Sequence, residues 1–378
     1  MKIANVEITR FRHKTRTTRD AEGHAHPGPE TDASSTILEI KTDCGASGYA
    51  FGASPQVFEN IIGPAIIGED AFARERVWQK LNQWQRLHRG ILSDGEIAAC
   101  DEALWDLAGR HLNTPVYKLI GSARDKVPAY ASTMCGDDLE GGLDTPEAYA
   151  KFAAACVERG YKAIKLHTWM PPLPGTPDPK RDVEACSAIR ERVGPDIKLM
   201  LDCYHFYTRE EAYFLGRELE KLNFHWIEEP MDEQSISAYA WLTAQLDIPV
   251  VGPETAGGKH FNRAEWILRN ASDISRAGVR DVGGITPVMK VAHLCEAHGV
   301  TMEIHGGGPG NLHALCAMGR PGEFYERGLL HPFIDYEEPS PWLNSIPDPM
   351  DEEGYVHISQ EPGLGWDINF DYIEANRE

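Results

Sequence analysis

From Val127 onward the chain alternates between two hydrophobic rhythms. Short apolar runs, VPAYAST (127–133), KAIKLH (162–167), KLMLDC (198–203), HWIEEP (225–230), PVVGPE (249–254), DISRAG (273–278) and TMEIHG (301–306), are each followed by a stretch whose apolar positions recur at helical spacing. Regular strand–helix alternation predicts a parallel sheet, and this many units predict closure into a barrel of the α/β class. The rival is an open, doubly wound sheet that holds its ligand on a glycine-rich turn. No GxGxxG follows the first strand of any unit, which counts against it. The earlier residues read differently. Lys2 to Arg12 alternates polar and apolar positions, STILEIKT (35–42) is a second strand ending in the turn Asp43-Cys44-Gly45, and Phe72 to Leu112 has helical spacing broken near Gly90 to Gly95. The predicted organisation is a small α+β domain over residues 1–125 and a barrel over 126–345. A proline- and acid-rich tail over 346–378 is expected to pack back on the first domain. Between the first two strands, the Gly, Pro and Thr-rich stretch Thr15 to Ala33 is expected to be a surface loop, either merely solvated or lying over a site.

Charge narrows the partners. Across 378 residues, 37 Lys+Arg stand against 58 Asp+Glu, a formal charge of −21 that repels nucleic acid and acidic membrane surfaces. A small molecule is the expected partner. If it is an anion, its attraction must come from a bound cation and a few placed basic groups. The eight cysteines are scattered without a CxxC pair, so neither a zinc knuckle nor a disulfide framework is indicated. The amino terminus lacks the apolar core of a signal peptide and no apolar run approaches membrane-spanning length, so a cytoplasmic protein is expected.

The chemistry lies where polar residues interrupt apolar strands. Asp202 ends the third run, Glu228 lies near the end of the fourth and Glu254 ends the fifth, at equal intervals of 26 residues. One carboxylate from each of three successive strands would meet at the carboxyl mouth of a barrel, where such folds place their sites. A single acidic strand end is usually just solvated, but three converging carboxylates repel unless a cation sits among them. All-oxygen ligation suits a hard ion such as Mg²⁺. Lys165 and His167 share one face of the second strand, and His305, followed by Gly306-Gly307-Gly308, ends the seventh. Barrel order places these candidate bases on opposite sides of the metal strands.

The ordered set of this metal triad, the K-x-H pair, WIEEP, GPET, DVGGIT with a histidine after it, and DEALWDLAGRHLNTPVYKLIG (101–121) resembles the mandelate racemase branch of the enolase superfamily over nearly the whole chain. The resemblance implies an N-terminal α+β capping domain and a modified (β/α)7β barrel of the TIM type. It also implies Mg²⁺ held by Asp202, Glu228 and Glu254, and a homo-oligomer. The implied reaction removes the proton beside a carboxylate, with Lys165, His167 and His305 as catalytic residues. Relatives with a histidine on the seventh strand commonly dehydrate sugar acids to 2-keto-3-deoxy acids. A racemase or epimerase, and a sugar-acid binding relative without turnover, are the alternatives. Glu229, of opposite strand parity, is expected not to share the metal equally. Arg16, Arg19 and His24 in the first-domain loop, with Tyr204, are candidate substrate contacts, the loop charges having solvation as their plain alternative.

Three positions depart from the family pattern. The aspartate that usually pairs with the catalytic histidine falls here on Gly278, and Asp281 in the following loop is the available substitute. Arg276 and Glu303 could instead form a buried pair. His167 stands where a second lysine is common, and an imidazole titrates near neutral pH without help from burial. Tyr204 stands where some acid-sugar dehydratases carry a histidine, and strand parity turns His205 away from the site.

Overall fold

The computed structural model describes residues 1–319 and 322–378. The first two strands, β1 (Ile3–Arg19) and β2 (Ala25–Thr42), form one long antiparallel hairpin, joined on its β2 side by β3 (Ser47–Phe51). The stretch expected as a surface loop is therefore the distal half of this hairpin. Thr17, Thr18 and Arg19 pair with Pro27, His26 and Ala25, so backbone hydrogen bonding carries the strands through a composition that reads as loop. Helices Arg74–Gln85 and Asp94–His111 cover the base of the sheet and enclose an apolar core with Leu38, Ile40, Trp78, Leu81, Leu104 and Leu107. The second helix crosses β3 closely at Gly48, where a Cβ would lie 2.2 Å from the Ala103 carbonyl oxygen; only glycine fits.

The barrel strands are β4 (Lys126–Thr133), β5 (Ala163–His167), β6 (Lys198–Asp202), β7 (Trp226–Glu228), β8 (Val250–Val251), β9 (Ile274–Arg276), β10 (Thr301–Glu303) and β11 (Tyr325–Leu330). All neighbours pair in parallel, in chain order from β4 to β10, with β11 on the free side of β4. Strands β5 to β10 lie within their apolar runs, β4 starts one residue ahead of its run at Lys126, and β11 is an eighth that the runs did not include. Glu303 bridges the seam between β10 and β11: its carboxylate accepts the backbone N–H groups of Glu323 and Phe324 at 2.5 and 3.3 Å. Outward residues such as Ile164, Leu199, Leu201, Ile227 and Val250 pack beneath the helices.

The chain's last segment touches both units. The strand β12 (Tyr355–His357) pairs antiparallel with β4, and the helix Phe370–Ala375 leads to Glu378, whose N–H donates to the Arg10 carbonyl. Asp101 joins the two units by accepting from Thr286 N and Oγ1 at 2.9 and 2.6 Å, at the start of the barrel helix Ile285–His298. Among the described residues no helix is long and apolar enough to cross a membrane.

Candidate active site

The two-residue period of a strand builds the site. Tyr130, Ala163, Met200, Trp226, Ile274 and Phe324 point inward and form an apolar plug in the barrel. Two residues further along the chain stand Ser132, Lys165, Asp202, Glu228, Arg276 and Glu326, a polar and mostly charged layer resting on the plug. Its ion pairs are dense. Lys165 Nζ lies 2.9 Å from Asp202, 3.1 Å from Glu228 and 3.1 Å from Glu326. Arg276 reaches Glu228 at 2.8 Å, Glu254 at 3.3 Å and Glu326 at 2.9 Å. Arg276 therefore does not pair with Glu303, because the inward carboxylates lie closer and Glu303 is engaged at the seam.

Above this layer the strands end and alternation lapses. Glu229 follows the last residue of β7 with φ +32°, which turns its side chain back toward the mouth. Oxygens of Asp202, Glu229 and Glu254 lie within 4.8 Å of one another. Strand parity does not turn Glu229 away from the mouth, since the strand has already stopped there. Glu228 sits deeper, where Lys165 links it to Asp202 and Arg276 links it to Glu254, while Trp226 Nε1 donates to its other oxygen at 2.9 Å. The cluster is electrostatically frustrated. Burial and the neighbouring carboxylates Glu254 and Asp202 hold the Glu229 carboxyl well above its ordinary range, and burial pushes Glu254 up to about 8 despite His305 and Arg276. Asp202 is likewise buried, but Lys165 and His167 hold it well below the usual carboxylate range. Glu229 Oε2 is buried without a hydrogen-bond partner, 3.3 Å from His205 Nδ1. An orphaned oxygen among carboxylates that repel is what an oxygen-preferring divalent cation would satisfy, so the donor set fits Mg²⁺.

The histidines flank this cradle. His167 Nδ1 is 2.6 Å from the Thr133 carbonyl, which can only accept, and Nε2 is 2.9 Å from Asp202. His305 Nε2 lies 3.1 Å from Glu254, and Nδ1 lies 2.8 Å from Asp281. Burial opposes charge on this imidazole, yet Asp281 and Glu254 raise it to about 10. Asp281 is fixed in turn by the Gly278 N–H at 2.7 Å, and a Cβ on residue 278 would meet Asp281 Oδ2 at 2.7 Å and the His305 carbonyl at 2.4 Å. The substitute partner thus occupies space that only a glycine leaves open.

A cavity of about 320 Å³, within the range of small-molecule sites, opens over these groups. Lys165, His167, Asp202, Tyr204, Glu254, His305 and Glu326 line its floor and walls, and Arg19, Gly23, His24 and Ala25 of the hairpin tip form its roof. Tyr204 stands between His167 and His24, with ring centroids 4.8 and 4.5 Å away. Arg16 does not join them: it is exposed at the register shift between Thr15 and Thr17, outside the cavity. Glu326 was missed by the sequence analysis. It accepts from Ser132 Oγ at 2.8 Å and Gly306 N at 2.7 Å, and its signal was an acidic residue inside the apolar run FYERGLL.

Two family models match the chain: Enolase C-terminal domain-like over residues 148–372, and Mandelate racemase / muconate lactonizing enzyme, N-terminal domain over residues 21–121. The chain is 32% identical over 358 residues to arabinonate dehydratase of Saccharolobus solfataricus, covering 87% of each. It is 30% identical over 355 residues to L-talarate/galactarate dehydratase of Salmonella typhimurium, covering 90% of this chain and 82% of that one. The crystal structure of D-glucarate dehydratase from Agrobacterium tumefaciens complexed with magnesium superposes with a TM-score of 0.98 at 55% identity, covering 100% of this chain and 99% of that one. With its barrel, its antiparallel capping sheet and its carboxylate mouth, the chain belongs to the mandelate racemase branch of the enolase superfamily.

Proposed function

We propose that this protein is a Mg²⁺-dependent sugar-acid dehydratase that abstracts the α-proton of an aldonate or aldarate and expels the β-hydroxyl to give a 2-keto-3-deoxy acid. The observation that carries this reading is a single cavity lined by Asp202 and Glu254 of the carboxylate cradle, a buried ammonium and the two imidazoles His167 and His305. Asp202, Glu228 and Glu254 would hold the ion, with Glu229 as a fourth carboxylate beside them. When bound, Mg²⁺ supplies the divalent charge against which a substrate carboxylate can take up a second negative charge. Lys165, whose ammonium its three carboxylate partners raise well above the ordinary range against the effect of burial, remains a fixed cation beside that carboxylate. His167 and His305 divide the proton transfers: one removes the α-proton, the other protonates the departing hydroxyl. Asp281 fixes the His305 ring by its Nδ1, leaving Nε2 toward the cavity. The roof of Arg19 and His24, with Tyr204, excludes water and contacts the distal end of the substrate.

The test is a library of aldonic and aldaric acids incubated with protein and Mg²⁺ in heavy water. A semicarbazide-reactive keto acid from at least one member is expected. Deuterium entering the α-position without loss of hydroxyl would establish the racemase or epimerase alternative, which bases on two faces permit. Binding of a member without exchange or product would establish the non-catalytic one.

A further inference from the structure

The hairpin tip carries a second cluster of donor atoms, remote in chemistry from the carboxylate cradle. Asp20 follows β1, His24 immediately precedes β2 and His26 is its second residue, and both imidazoles turn toward the same carboxylate. His24 Nδ1 lies 3.2 Å and His26 Nε2 2.8 Å from Asp20 Oδ2, and the three donor atoms lie within 4.8 Å of one another. The carboxylate is fixed: its Oδ1 accepts the N–H groups of Glu22 at 2.9 Å and of His24 at 3.0 Å, leaving Oδ2 for the imidazoles. Side-chain exposures of 6%, 18% and 16% for His24, His26 and Asp20 show a cluster withdrawn from solvent.

We propose that Asp20, His24 and His26 form a second metal site, taking a borderline divalent transition ion such as Zn²⁺ or Co²⁺. Tetrahedral coordination with metal–ligand distances of about 2.0–2.1 Å puts donor atoms about 3.3 Å apart, close to the observed spacings. Two imidazoles and one carboxylate suit such an ion, whereas Mg²⁺ prefers the all-oxygen cradle in the barrel, so the two sites sort cations by chemistry. The consequence is mechanical. An ion here ties the end of β1 to the start of β2 and stiffens the roof formed by Arg19, Gly23, His24 and Ala25. The rival account is a carboxylate that merely hydrogen-bonds two imidazoles.

The experiment uses the full chain with saturating Mg²⁺, titrated with Co²⁺ and then Zn²⁺. One Co²⁺ per chain is expected, with the visible absorption of a low-coordinate N/O site that Zn²⁺ displaces. H26Q and D20N, each checked for an unchanged thermal midpoint, should bind Zn²⁺ at least about 100-fold more weakly. Amide exchange over residues 19–26 should slow on Zn²⁺ addition in the parent protein and not in H26Q. No Co²⁺ uptake beyond Mg²⁺, uptake unchanged in H26Q, or a Co²⁺ signal abolished by E254Q instead would each overturn the proposal. None of these readouts depends on turnover, so they stand apart from the fate of the dehydratase reading.

Discussion

Replacing Asp281 by asparagine removes one charge from the His305 pair while keeping its shape. The amide oxygen can still accept from the Gly278 N–H, which now donates to Asp281 at 2.7 Å, so the loop should hold. What disappears is the carboxylate 2.8 Å from His305 Nδ1. Two unit charges about 4 Å apart at an effective dielectric of about 20 interact by about 4 kcal/mol. The His305 side chain is 34% exposed, and halving that energy for solvent screening gives about 2 kcal/mol. The expected loss in kcat is therefore between about 30-fold and about 10³-fold. Asp281 raises the His305 pKa, so removing its charge moves the limb of the pH–rate profile that reports His305 to lower pH. The assay is the rate of keto-acid formation across pH, with α-proton exchange followed by NMR. D281N within threefold of the parent, with an unshifted profile, would refute the pairing. G278A supplies a control that removes no charge: its Cβ would meet Asp281 Oδ2 at 2.7 Å, so it should lose activity by displacing the same carboxylate.

The metal cradle yields two further expectations. E228Q and E254Q should each weaken Mg²⁺ binding more than E229Q does, read by calorimetry; the reverse order would make Glu229 the principal ligand and Glu228 the counter-charge of Lys165 and Arg276. Removing Mg²⁺ with EDTA should lower the thermal midpoint, because ion present at about 100 times its dissociation constant adds about 2.7 kcal/mol of stability. At the barrel seam, burial raises the Glu303 carboxyl to about 7. Between about pH 4.3 and 7 the folded chain then retains a proton that the unfolded chain releases, so this group makes stability fall as pH rises through that window. E303Q should flatten that slope in urea titrations at successive pH values.

Most of the barrel was legible because its strands, buried on both faces, read as unbroken apolar runs, and their carboxylates interrupt those runs at a fixed pitch. The eighth strand escaped because Glu326 and Arg327 sit in its middle, both buried, and charge at buried positions hides a strand from any hydrophobic pattern. The hairpin's distal half escaped for the opposite reason: its two glycines and two prolines signal a loop, whereas its pairing is set by the register of the strands below it. Strand parity placed Lys165, His167, Asp202 and Glu228 on the inward face, but could not follow Glu229 beyond the strand end, where a positive φ reverses direction. The substitution of Asp281 for an aspartate at position 278 was visible as an absence and a candidate; only coordinates give the 2.8 Å contact and the missing Cβ that permits it.

The central claim is that a divalent ion lodges among the carboxylates delivered by β6, β7 and the segment after β8. Anomalous diffraction from crystals grown with Mn²⁺ in place of Mg²⁺ tests it most directly. The account predicts one strong peak about 2.0–2.3 Å from oxygens of Asp202, Glu254 and a glutamate of the WIEEP segment. No peak at the barrel mouth, with those carboxylates held by protein side chains alone, would contradict it.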